Sequence, residues 1–331
     1  MMSKVEWPTV STTRRSLLFA AALVLPIGRA RADDYPSRAI RLIVPWAPGG
    51  VADIVARLIA DRLTQQLGQP VVVENRPGAS GVIGTDFVAK AAPDGYTLVL
   101  VTASTHAMGP SVKPTTYDPI KDFAPIIQVT NAPTIMVVPP SFPANNVAEF
   151  IALAKQRPGQ LNFASFGIGS SAHLAGEFFM QATGTRMVHV TYKGSAPAIV
   201  DLMADRVQVF FDSIPSGLPH VRGGTLKALA VTGPTRSAAA PELPTIAETI
   251  PGFDVTVWQG VAASAGTPPA VIQKLYTESA KIMALPETRK TLIDLGADPV
   301  SLSPDQFAAQ IARENDKWRK LVKDAKIVIE Q

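Results

Sequence analysis

The sequence predicts an α/β protein of two lobes, each built on an open, mostly parallel sheet with a ligand cleft between them. Three observations carry that reading. Short β-rich runs alternate with helical periods from Ile40 onward, the alternation runs through two successive sets, and everything after Pro269 is helical. Alternation of this kind implies parallel strands crossed over by helices.

In chain order, Ile40–Val44 is an unbroken apolar run and reads as a buried strand. Val55, Leu58, Ile59, Leu63 and Leu67 then recur at helical spacing up to a stop at Gly68. A strand over 71–73, a Pro-Gly turn, a helix to about 91 and a strand over 96–102 complete the first set. The second set has strands over 135–138, 161–165, 188–192, 207–211 and 226–231. Its helices cover 147–156 and 173–181, and a third carries Ile199, Val200, Leu202 and Met203 on one face. Pro241, Pro244 and Pro251 mark an irregular stretch before a strand over 255–261. Helices over 269–285 and 287–295 follow. A long C-terminal helix, with Phe307, Ile311, Trp318 and Leu321 along one face, ends the chain.

Composition narrows the classes. With 331 residues, 47% hydrophobic and 18% charged, the chain is globular and long enough for two domains. Zero cysteines exclude disulfide frameworks, thiolate zinc sites, thiol nucleophiles and a lipid-anchored cysteine. The formal charge of +4 is a leader effect: five of the 31 basic residues but one of the 27 acidic ones fall in the first 32, and the rest balances. Nothing in that balance points to nucleic acid. Residues 1–32 read as an export signal, with a basic region, an apolar stretch from Leu17 to Ile27 and a small-residue end at Ala30-Arg31-Ala32. Thr13-Arg14-Arg15-Ser16-Leu17-Leu18 is similar to a twin-arginine signal, and an ordinary secretory signal with two arginines gives the same pattern. Cleavage after Ala32 would leave Asp33 first.

In open α/β sheets, ligands bind beyond the carboxyl ends of strands, beside helix N-termini. Four loops are placed for this: Pro45-Trp46-Ala47-Pro48-Gly49-Gly50-Val51-Ala52-Asp53, Thr102-Ala103-Ser104-Thr105-His106, Ser165 to Ser171, and Tyr192 to Pro197. Small residues at helix starts leave N–H groups open to a carboxylate, although each loop alone is also ordinary turn and capping chemistry. Asp53 and Asp212 are caps or pocket floor, and Trp46 is lobe packing or a ligand wall. Catalytic readings are weaker. Gly167-x-Gly169-x-x-Ala172 is a loose dinucleotide pattern lying mid-chain, and Ser170 or Ser171 with His173 and Asp212 lacks a nucleophile elbow. His106, His173, His189 and His220 have no metal-ligand spacing, so no metal is expected. His173 reads most simply as a first-turn residue bonding back into its loop.

A resemblance then enters. Glu74-Asn75-Arg76-Pro77-Gly78-Ala79-Ser80-Gly81, Ile83-Gly84 and Pro93-Asp94-Gly95-Tyr96-Thr97-Leu98 are similar to motifs of the tripartite tricarboxylate transporter substrate-binding proteins, also called Bug receptors. Pro48-Gly49-Gly50 with Asp53, Tyr192-Lys193-Gly194 with Pro197-Ala198, and Phe211-Asp212 fit the same pattern, so the resemblance spans the chain after the signal. It implies a type II-like periplasmic binding protein fold and a non-enzymatic, monomeric receptor without cofactor. Such a receptor would carry a small organic acid (di-, tri- or aromatic carboxylate) to a membrane permease of one large and one small subunit. It also implies that Gly49, Gly50, Ala52 and Asp53 line one side of the ligand with Thr102, Ala103 and Ser104. Gly169, Ser170, Ser171, Gly194, Ser195, Ala196 and Asp212 would line the other. Trp46 and Pro48 stand beside them. Val51 departs from the family, where a small polar residue is commoner.

On this reading lobe 1 is 33–128 plus 257–331 and lobe 2 is 129–256. The chain crosses near 128–132 and 254–259, and the C-terminal helices return to lobe 1. Closure about that hinge would trap the ligand. A signalling receptor of the same fold and a periplasmic serine hydrolase are the alternatives.

Overall fold

The computed structural model describes residues 35–192 and 194–325; the expected export signal and its cleavage site lie outside them. In order the chain forms β1 (Ile40–Val44), α1 (Val51–Leu67), β2 (Val71–Asn75), α2 (Val82–Ala89), β3 (Thr97–Thr102), α3 (Gly109–Val112) and β4 (Phe123–Val138). It continues through α4 (Val147–Gln156), β5 (Asn162–Ser165), α5 (Ser171–Thr183), β6 (Val188–Thr191), α6 (Ser195–Met203), β7 (Val209–Ser213), α7 (Ile214–Arg222) and β8 (Lys227–Val231). Last come β9 (Thr256–Ser264), α8 (Pro269–Ala284), α9 (Pro286–Asp294), β10 (Asp298–Leu302) and α10 (Pro304–Asp324).

Local chemistry explains the best-defined elements. In α1, Val55, Ile59 and Leu63 stack at four-residue spacing and are buried, and Gly68 ends the helix in a left-handed conformation. A capping box between Ser303 and Gln306 starts α10, and Phe307, Ile311, Trp318 and Leu321 are all buried as the periodicity predicts. Of the four α6 residues expected on one face, Ile199 and Leu202 are buried. Val200 and Met203 are exposed, because each lies one residue, and so about 100°, round from its buried neighbour. The predicted single face of four is therefore narrower than expected.

The strand order is β2-β1-β3-β9-β4-β7-β5-β6, with β8 and β10 also pairing with β4. The crossover strands are parallel as expected: β1 with β2 and β3, and β5 with β6 and β7. The centre differs, because β4 and β9 pair antiparallel with their neighbours and make the sheet mixed. The sixteen-residue β4 is shared: up to Pro133 it pairs with β9, and from Thr134 it pairs with β7. Bulges between Pro125 and Ile127 and between Gln128 and Thr130 bend it on the way.

These directions place the functional ends. Strand β3 is antiparallel to β9 and β9 to β4, so β3 runs along β4, and its last residue Thr102 lies level with Thr130 through Gln259. Strand β7 runs the other way and ends at Ser213, level with Thr134. The carboxyl ends of β1 and β3 therefore face those of β5, β6 and β7. The gap between them is four residues of β4, about 13 Å at roughly 3.3 Å per residue.

Candidate functional site

Every loop singled out in the sequence starts at one of those facing ends. After β1 the chain turns through exposed Pro48, Gly49 and Gly50 into α1, whose N-cap Gly50 has no side chain to satisfy the first-turn N–H groups. Half-buried Ala52 and exposed Val51 lie in that turn. Asp53 is buried and points back into the loop. It accepts hydrogen bonds from the Gly49 amide at 2.9 Å, Arg57 Nε at 3.0 Å and Asn75 Nδ2 at 2.9 Å. The Arg57 guanidinium, with Gly49 and Asn75 behind it, holds this carboxyl down to about 2 against the cost of burial. Asn75 also donates to the Trp46 carbonyl at 3.0 Å. The Glu74–Gly81 motif thus supplies a brace that sequence reasoning quoted without giving it a role.

Trp46 is half-buried, with its indole Nε1 unpartnered. A Cβ at Gly81, which has φ +89°, would sit 2.8 Å from Thr105 Cγ2 and 3.3 Å from the Trp46 ring. Glycine there lets three loops of this end close on one another. Thr102 and Ala103 are buried and Ser104 partly so. The Thr105 hydroxyl accepts from the Thr102 amide at 3.1 Å, which tightens the turn. His106 is fully buried against Phe123, ring centres 4.5 Å apart, and burial depresses its pKa to about 3.

On the opposing end, Ser170 is the N-cap of α5. Its hydroxyl accepts from the His173 amide at 3.3 Å and donates to the Gly167 carbonyl at 2.7 Å, and Ser171 opens the helix. His173 bonds back into the loop as expected, its Nδ1 accepting from the Gly169 amide at 3.1 Å. Its ring stacks on His189 at 4.1 Å. A Cβ on Gly169 would lie 3.3 Å from Val112 Cγ1, so this loop reaches the end of α3 across the gap. Gly194 is the N-cap of α6, again without a side-chain bond, and is followed by half-buried Ser195 and exposed Ala196. Ser195 Oγ donates to Asp212 Oδ1 at 2.6 Å, and the Ser213 amide donates to the same oxygen at 2.8 Å. Asp212 is fully buried and its Oδ2 has no partner; burial raises its pKa in spite of those bonds.

The structure therefore joins Trp46 with the turn after Thr102, joins Ser195 with Asp212, and brings Gly169 to the opposite side. It does not assemble a serine triad. Asp212 is engaged by Ser195 and Ser213, while the His173 ring is engaged by Gly169 and His189. The surface hollow lined by Pro110, Thr116, Tyr117 and Arg319 contains none of the predicted contacts. Among the described residues no group of three or more His, Cys, Asp or Glu is placed to hold a metal ion, and no helix is long and apolar enough to cross a membrane.

Comparison with known proteins gives one consistent answer. Residues 55–327 match the model of the tripartite tricarboxylate transporter family receptor. The protein BugT of Bordetella pertussis is 40% identical over 307 residues, covering 92% of this chain and 93% of BugT. Among solved structures, R. palustris Rpa4515 with adipate is 38% identical, with TM-score 0.73, covering 89% of this chain and 99% of that one. MatC from Rhodopseudomonas palustris with bound malate is 31% identical, with TM-score 0.69, covering 87% and 100%.

Proposed function

Because this chain belongs to the tripartite tricarboxylate transporter receptor family, we propose that it captures a small dicarboxylate in the periplasm and delivers it to a membrane permease of one large and one small subunit. The observation that carries this reading is the opposition of two sets of strand ends about 13 Å apart along β4. From them start α1 and α6, both with glycine N-caps and no side-chain cap. Their open N–H groups and positive helix ends suit a carboxylate at either side. Adipate and malate in two relatives are acids of that class.

Each set of loops acts as one jaw. A ligand touching both favours the closed arrangement by the difference of its affinities for closed and open states. In this reading the export segment is cleaved after Ala32, residues 33–128 with 257–331 and 129–256 are the two lobes, and the receptor is a monomer. Ligand contacts are Trp46, Pro48, Gly49, Gly50, Ala52, Thr102 to Ser104, Gly169 to Ser171, Gly194 to Ala196 and Asp212, with Asp53 holding the first loop in shape.

The test is thermal melting of residues 33–331 against mono-, di- and tricarboxylates and aromatic acids, with the matching amides as controls. A ligand at about 100 times its Kd stabilises by roughly 2.7 kcal/mol, a shift of a few degrees. A shift with a dicarboxylate that vanishes for its diamide is expected. No shift with any acid, or equal shifts with amides, overturns the proposal.

A further inference from the structure

The buried polar atoms that lack partners include Trp46 Nε1 and Asp212 Oδ2, which belong to contacts already described. Among the rest, Gln259 Oε1 and Thr130 Oγ1 stand together. Gln259 is 7% exposed and Thr130 0%. The register sets Thr102 of β3 opposite Gln259 of β9, and Gln259 opposite Thr130 of β4. Residues directly opposed across antiparallel strands share a face, so the three form one polar row across the sheet. The row lies at the carboxyl end of β3, where the chain enters Ala103 and Ser104.

The opposite face is accounted for. Trp258 packs on Phe307 of α10 with ring centres 5.3 Å apart, and a Cβ on Gly260 would overlap that same ring. Gln259 points the other way, where the next positions on its face, Val261 and Ala263, are packed into the apolar core. Among the described residues no protein group satisfies the Gln259 acceptor, so a ligand that closes over it and excludes water must supply the donor or bear the cost of leaving it unpaired. A carboxylate offers only acceptors, which suit the Thr130 hydroxyl and the Gln259 NH2. The Gln259 oxygen needs an O–H or N–H.

Building on the dicarboxylate-receptor reading, we propose that Gln259 and Thr130 form the polar floor of the ligand cleft and select acids that carry a hydroxyl or ammonium donor on the carbon chain. The same row penalises the plain dicarboxylate, which leaves the Gln259 oxygen unpaired.

The experiment is calorimetric titration of malate and succinate, which differ by one hydroxyl, into the wild-type protein, Gln259→Met and Thr130→Val. Adipate serves as a second plain acid. Wild type is expected to favour malate over succinate by about tenfold or more, the size of one unsatisfied buried acceptor. Both substitutions keep volume; Gln259→Met is expected to collapse that preference by weakening malate and relieving succinate, whereas Thr130→Val removes a donor to the shared carboxylate and is expected to weaken both acids alike. If Gln259→Met does not fold, as judged by its ligand-free melting curve, the malate-to-succinate ratio of Gln259→Leu decides. A ratio unchanged in the folded Gln259 variant overturns the inference, as does unaltered binding of both acids by Thr130→Val or a wild type that binds succinate or adipate as well as malate. Each of these leaves the receptor reading standing. A wild type that binds no acid overturns both.

Discussion

Asp53→Asn probes the first loop most directly. The substitution keeps shape but replaces an acceptor-only carboxylate with an amide whose NH2 must face the Gly49 amide, Arg57 or Asn75, all donors. A carboxyl that titrates at 3.8 in an open chain and about 2 here contributes about 2 kcal/mol to folding at neutral pH. Arg57 is half exposed, so screening trims this to about 1–2 kcal/mol. The assay is urea unfolding of both proteins from pH 7 downward. Because the folded pKa is lowered, the contribution is fully present above about pH 4 and is lost as pH falls through about 2. Asp53→Asn should therefore be less stable at pH 7, with the gap narrowing below pH 4. Equal stability at pH 7, or a gap of constant size down to pH 2, refutes the account of Asp53 as a charged brace.

Other consequences follow from the same geometry. Gly260→Ala would drive a methyl into the Phe307 ring and the Ile127 carbonyl, and should cost about 3 kcal/mol or more in urea unfolding. Gly169→Val combines a β-branched residue at φ +78° with crowding of Val112. It should lower the affinity for the acid found by melting more than it lowers ligand-free stability. His106 and His189, held by burial at about 3 and about 4, bind protons less readily folded than unfolded. Stability should thus be full above about pH 6.5 and decline by on the order of a few kcal/mol as pH falls toward 4, and His189→Asn should flatten part of that slope.

What could be read ahead of the structure was local. The bounds of β1 and α4 match the sequence reading because an apolar run and a helical period, the latter opened by the Asn146 cap on Glu149, are short-range signals. The first half of β4 was hidden. Pro125, Gln128, Thr130, Asn131 and Pro133 look like a crossing segment, and their strand character comes from pairing with β9, far along the chain. Pro215 and Pro219 concealed α7, although a proline in a first turn costs a helix little. Half-exposed β10, with its Asp-Pro start, carried no alternation to recognise. In the site, loop positions were legible while side-chain directions were not. Ser170 faces its own helix as a cap, Asp53 faces its own loop, and Asn75 and Gln259 acquire meaning only from a neighbour in another strand. The C-terminal helix shows the same limit. Its apolar face was plain, but α10 packs beyond the first set of strands, with Trp318 6.3 Å from Phe178 and Asp324 accepting from Gln181, both on α5.

If the ligand is an anion, as proposed above, two aspartates among the strand-end loops pose an electrostatic problem, and the two are handled in opposite ways. Asp53 stays ionised, but its charge is spent inward on Arg57 and two N–H donors, so what the loop presents outward is the open N-terminus of α1. Asp212 has no cation. It is fully buried, and burial moves it toward the protonated form, in which its free oxygen can carry a hydrogen to donate. An approaching carboxylate shifts the same equilibrium further, because two like charges close together cannot both stay ionised. The first aspartate is countered by a partner, while burial biases the second away from its charged form. On the dicarboxylate reading proposed above, an incoming carboxylate would meet one aspartate already paired and one that burial biases away from its charged form, so acidic residues at these positions are no obstacle to that reading.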